Sequence, residues 1–207
     1  MLPYDAEALV SAVGSYHRHH PLVAVLALAA SVLALALALR GTAEGRRVVP
    51  FLLAACWLWI GAVWHIATFA QLNFAAPAYG ALFLLQGMIL LWLGVRGRLG
   101  LARPRGWPGA AGCLLTLVAI IAMPIVDHLR GWPWSSIRFA GMDPCPTAVL
   151  TLGIILLAQP PRPTAMAVPA VWTLIAAFTG WVLGIAPDML LPVAALIACP
   201  TAVLARR

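Results

Sequence analysis

Apolar residues run through this chain in long unbroken stretches. Short clusters of Arg, Pro, Gly and a few polar side chains separate them. The stretches fall at residues 21–39, 48–69, 75–95, 108–126, 144–159, 166–185 and 189–204. Runs of ~20 residues match what a helix needs to cross ~30 Å of hydrocarbon. The short alternating segments of a membrane barrel are absent. The pattern predicts an all-α, polytopic transmembrane helical bundle of about seven spans, forming a single transmembrane domain over residues 1–207. The fifth run is the shortest and barely reaches the hydrocarbon thickness. Either it tilts little or the segment before it dips into the membrane.

Ahead of the first span, Leu2, Ala6, Leu9, Val13 and Tyr16 recur at helical spacing. This predicts a short amphipathic helix lying at the interface within residues 1–20. Asp5 and Glu7 precede any basic residue, unlike the positive start of a secretory signal. His17, His19 and His20 read as a solvated polar cap on the first span, with metal binding the alternative for a His-rich tract.

Charge adds orientation. Only 9% of the residues are charged against 63% hydrophobic, where a soluble domain carries about 25% charged. All thirteen basic residues are Arg. Arg40, Arg46, Arg47, Arg96, Arg98, Arg103, Arg105, Arg162, Arg206 and Arg207 gather on one side; Arg18, Arg130 and Arg138 fall on the other. The positive-inside rule then predicts the N-terminus outside and the C-terminus inside. The short arginine-bearing loops suit anionic lipid headgroups and carry no nucleic-acid motif.

The second span places Trp57, Gly61, His65 and Thr68 on one stripe. Gly61 lets a neighbouring helix approach closely, and an ionisable His65 is expected to face the bundle interior. Asn73 falls in the turn that follows, as a turn or cap residue. Gln86 lies mid-span in the third run, where an amide needs an interhelical partner. The fourth span ends with Asp127 and His128, and Cys145-Pro146-Thr147 opens the fifth. His65, Asn73, His128, Asp143, Cys145, Thr147 and Asp188 thus converge on the extracytoplasmic side. Cys56, Cys113 and Cys199 read as packing residues in the inner half. Cys145-Pro-Thr-Ala-Val-Leu150 recurs as Cys199-Pro-Thr-Ala-Val-Leu204, but at opposite ends of two spans, so the copies share no site.

Four functions are compatible with these residues, in falling order of support. The first is a permease-like protein handling an ion or small solute, its site lined by His65, Asn73, Gln86, Cys145 and Thr147. The second is an accessory or structural subunit, in which Gly180-x3-Gly184 packs a partner helix or a second copy. The third is a haem- or metal-binding protein using His65, His128 and Cys145. The last is an enzyme with Cys145 as nucleophile. No motif names a cofactor.

The start Met-Leu-Pro-Tyr, the Trp-x-Trp-x-Gly-x3-His stripe, Asn73-x-Ala-Ala, Gly80-x2-Phe83-x2-Gln86 and Pro-Cys-Pro-Thr before the fifth span resemble a family of bacterial multi-pass membrane proteins. That family is known only as a domain of unknown function, and its members are sometimes labelled permeases. The resemblance covers nearly the whole chain and implies one membrane domain; it supplies no reaction.

Overall fold

The structure is a computed structural model that describes residues 2–205; Met1, Arg206 and Arg207 lie outside the described residues. The described residues are mostly helical, with loops between the helices and one isolated β-bridge between Leu101 and Ala158. Helix α1 spans Ala6–His19 and α2 spans Pro21–Arg40. Helix α3 runs over Ala43–Gln71, α4 over Ala76–Val95 and α5 over Gly106–Leu129. Helix α6 is Pro144–Leu156, α7 is Pro163–Leu183 and α8 is Ala186–Leu204. Six of these, α2–α5, α7 and α8, are long and apolar enough to cross a membrane.

The boundaries follow local chemistry. Pro21 and Pro163 open helices where no N–H is needed. Gly41 (φ 62°) and Gly184 (φ 71°) close α2 and α7 in the left-handed conformation. Thr42 caps α3, its hydroxyl accepting from the Gly45 N–H at 3.2 Å. Gly184 is therefore a helix stop, and Gly180 makes room for the Asp188 side chain and the Ile185 carbonyl. The Gly180-x3-Gly184 pair serves this chain's own turn.

The shortest apolar helix occupies the centre. All thirteen residues of α6 are buried, and it touches α2, α3, α5, α7 and α8. Around it, neighbours follow the order α2, α3, α4, α7, α8, α5. A helix that meets only protein does not have to match the bilayer thickness. Irregular backbone beside it is tolerated for the same reason. The loop before α6 descends among the helices: residues 140–143 are buried, and Gly141 packs on the Ala27 carbonyl and the Ser31 hydroxyl of α2.

Two close crossings draw the helices together. A Cβ on Gly61 would stand 3.0 Å from the Gly80 carbonyl oxygen, joining α3 to α4. A Cβ on Gly112 would stand 2.8 Å from the Gly153 carbonyl oxygen, joining α5 to α6. Trp57 Nε1 donates to Thr151 Oγ1 at 2.8 Å, tying α3 to the centre.

Helix α1 lies across one end of the bundle and buries Val13, Gly14, Tyr16 and His17. Trp59 Nε1 donates to the Tyr16 hydroxyl at 2.7 Å, which in turn donates to the Met142 carbonyl. His17 is thus buried rather than solvated, a correction to the polar-cap reading. Cys56 also differs from expectation. It shares a hollow with Val23, Leu26, Trp59 and Gly141, toward the α1 end of the bundle and not the arginine-rich end.

Candidate functional site

The stripe on α3 ends in an irregular stretch. From Ile60 to Thr68 the helix widens to π geometry, and Thr68 Oγ1 donates to the carbonyl of Val63, five residues back, at 2.8 Å. Such bulges inside α-helices are frequent at functional sites. This one carries both Trp64 and His65 and turns the His65 ring fully inward, with no exposed surface.

His65 sits among aromatic rings. Its centroid lies 4.7 Å from Phe83, 5.0 Å from Trp172, 6.0 Å from Tyr79 and 6.3 Å from Phe69. Trp172 in turn packs edge-on against Tyr79 and Phe83. Beside these rings is a cavity of about 60 Å³. Tyr4, Leu9 and Val13 roof it from the N-terminal segment and α1. Trp64, His65, Phe69, Tyr79 and Trp172 wall it, and Arg138, Asp143, Cys145 and Asp188 close the remaining side.

Neither ring nitrogen of His65 has a hydrogen-bond partner, and neither does Trp172 Nε1. The Cys145 thiol lies close to the indole N–H without completing a well-formed hydrogen bond. Buried polar atoms are nearly always paired, because each one left bare costs about 1–3 kcal/mol. Three such atoms on two residues of one cavity wall, the donor Trp172 Nε1–H and the donor and acceptor nitrogens of a neutral His65 ring, mark a place able to exchange hydrogen bonds with something else.

A charged layer adjoins the cavity. Arg138 is buried and grips Asp127 through Nε and Nη2, at 2.9 and 2.7 Å. It grips Asp188 through Nη1 and Nη2, at 2.7 and 3.0 Å. Trp132 covers the guanidinium at 4.5 Å. Burial works against the charge of Arg138, but the two carboxylates outweigh it and raise its pKa further. Alongside, His17 Nε2 meets the Asp143 carboxylate at 3.1 Å and its Nδ1 meets the Ser135 carbonyl at 3.0 Å. Against an ionised Asp143 both partners are acceptors, and the imidazolium, with two N–H donors, satisfies both. Burial alone would lower the His17 pKa; the Asp143 charge and these hydrogen bonds reverse the direction and raise it.

The other residues singled out from the sequence stand apart from the cavity. Asn73 is buried in the α3–α4 turn, its Oδ1 accepting from Ala75 N–H at 2.9 Å. Gln86 Nε2 donates to the Ala165 carbonyl at 3.0 Å, joining α4 to α7, while its Oε1 stays unpaired. Thr147 Oγ1 accepts from Gly141 N–H and donates to the Asp143 carbonyl, fixing the descending loop on α6. His128 is exposed and stacks on Trp134 at 4.2 Å, away from His65 and Cys145. Among the described residues no three His, Cys, Asp or Glu side chains stand close enough to hold a metal ion. Trp172 and Tyr79 gave no polar signal in their apolar runs, and Arg138 counted only toward orientation; the fold makes all three part of the cavity wall.

The model of a family of unknown function, DUF6064, matches residues 6–207. No curated protein and no solved structure matches the chain.

Proposed function

This chain belongs to the DUF6064 family, and for it we propose a permease-like role: an integral membrane protein that binds a small solute under α1. The observation that carries this reading is the unpaired state of both His65 nitrogens and of Trp172 Nε1 on one cavity wall. An accessory subunit held together by interhelical hydrogen bonds would pair these atoms with its own helices. The size of the cavity, about 60 Å³, favours a ligand of a few heavy atoms over a tetrapyrrole, since sites for drug-sized ligands run to several hundred Å³. The arginine asymmetry supports an orientation in a bacterial inner membrane with α1 and the cavity facing outward and the arginine-rich loops in the cytoplasm.

The test is ligand-dependent thermal stabilisation. Purified protein in detergent is heated with a panel of small polar solutes, and the same panel is applied to His65→Phe. The substituted ring keeps the packing among Phe69, Phe83 and Trp172 but offers no nitrogen. At least one solute raises the unfolding midpoint of the wild type, through preferential binding to the folded state, and fails to raise that of His65→Phe. A panel without effect on the wild type, or an effect that persists in His65→Phe, overturns the reading.

A further inference from the structure

We propose that the solute is a small neutral primary amide, acetamide in size and shape. The inference rests on the cavity being a solute site and adds the solute's charge and its hydrogen-bonding groups.

The first argument is hydrogen-bond complementarity. Trp172 Nε1 is unpaired, and an indole N–H only donates, so whatever meets it carries an acceptor. Both nitrogens of His65 are unpaired as well. In either neutral tautomer one of them donates and the other accepts. A molecule with donors alone leaves the indole N–H bare. A molecule with acceptors alone brings no hydrogen to the accepting His65 nitrogen. One that carries both kinds on different atoms serves the two residues together. In a primary amide the carbonyl oxygen accepts from Trp172 Nε1, and an amide N–H donates to His65. The two ring nitrogens point apart, so a solute of this size meets one of them and water meets the other.

The second argument is charge. His65, Arg138, Asp143 and Asp188 are the ionisable His, Arg and Asp side chains that line the cavity. Arg138 spends four of its five N–H donors on Asp127 and Asp188. Asp143 accepts from His17 Nε2 and from the Phe139 N–H. These groups hold one another whichever of them carry the protons. A solute with a net charge would be buried beside them with no free partner of opposite sign, which is expensive. A neutral solute meets no such penalty.

The third argument is size. A cavity of about 60 Å³ has room for roughly four to six groups as large as a water, at ~10–15 Å³ each. Acetamide fills most of that space and leaves room for the water. Its methyl group finds apolar surface on Leu9, Val13, Trp64 and Phe69.

The experiment uses the purified full chain and isothermal titration at neutral pH and fixed ionic strength. The probes are acetamide, acetone, acetate and acetamidinium, which share one shape. Acetone keeps the carbonyl and lacks the N–H; acetate carries a negative charge and acetamidinium a positive one. Acetamide binds the wild type saturably. Acetone binds roughly ten-fold more weakly, the scale of one buried group left unpaired, and neither ion binds. Trp172→Phe keeps an aromatic ring, removes the N–H and weakens acetamide and acetone together. His65→Phe weakens acetamide and leaves acetone unchanged. Acetone binding as tightly as acetamide overturns the amide assignment. Acetate or acetamidinium binding more tightly than acetamide, and lost in His65→Phe, overturns the neutral class and leaves the solute site standing. Acetamide binding undiminished in both variants overturns its placement at His65 and Trp172. Absence of acetamide binding in a folded wild type overturns the proposal outright, and the wider solute panel then decides the fate of the site by itself.

Discussion

Gly80 of α4 lies so close to Gly61 of α3 that a Cβ on Gly80 would stand 2.9 Å from the Gly61 carbonyl oxygen and 2.6 Å from the Ile66 side chain. The crossing sits one turn from His65 on α3 and one turn from Phe83 on α4. It therefore sets the spacing of the two helices that hold the aromatic wall. Gly80→Ala separates them or distorts Ile66, at a cost of about 1–3 kcal/mol for overpacking. The expected result is a lower unfolding midpoint in detergent together with a weaker response to the solute that stabilises the wild type. An unchanged midpoint would show that the two helices yield at no cost.

The His17–Asp143 pair makes the docking of α1 pH-dependent. The pKa of His17 is raised in the folded protein, so its contribution is complete below the ordinary value of about 6.5. It is lost as pH rises through the higher folded value. The groups that face the imidazole are Asp143, the Ser135 carbonyl and the Tyr16 and Phe139 rings, with Asp143 the charged member. Hydrogen exchange of α1 amides, corrected for intrinsic rates, should be faster at pH 9 than at pH 6. In His17→Gln the difference should shrink. Equal protection at both values in the wild type would mean that the apolar face of α1 holds it unaided.

Cys145 offers a direct view of α1 as a roof. From the sequence it opens the fifth span on the extracytoplasmic side, while Cys56, Cys113 and Cys199 read as packing residues. The structure keeps it at the Arg-poor end but buries it under α1, on the wall of the cavity. Labelling of the wild type by an impermeant maleimide should consequently be slow and should accelerate in His17→Ala, where α1 loses its ionic anchor. Cys145→Ala should remove the accelerated component. Fast labelling of the wild type, unaffected by His17→Ala, would place the thiol outside the roof.

Orientation is tested by a reporter fused after Arg207. The eight arginines at the far end of the described chain and the three at the α1 end predict a cytoplasmic C-terminus. A reporter active only outside the cytoplasm would reverse the bundle and put the cavity on the inner face.

The helices were legible because lipid-facing length is written into composition: the run at 75–95 became Ala76–Val95, and that at 166–185 became Pro163–Leu183. His65 was legible too, since a polar group beside Gly61 on one stripe has few places to go but inward. The charged layer was not. His17 and Asp143 are 126 positions apart, and Arg138 reaches 50 positions to Asp188. No periodicity encodes such pairings, which exist only once α1, the descending loop and α8 share one end of the bundle. Trp172 stayed hidden because an indole in an apolar run is ordinary until its N–H is seen to lack a partner. The central place of α6 was equally invisible, since hydropathy scores a segment against lipid and α6 meets none.

That last feature bears on how the protein is made. A segment of thirteen residues between a buried aspartate and a proline-rich turn is a poor candidate for insertion on its own. Two of the helices that enclose it, α7 and α8, leave the ribosome afterwards. The core of this bundle is therefore completed late: α6 is enclosed on all sides only once α7 and α8, synthesised after it, have packed beside α2, α3 and α5. Truncation after α6 should leave that segment exposed to the quality-control proteases of the membrane rather than settled as a span.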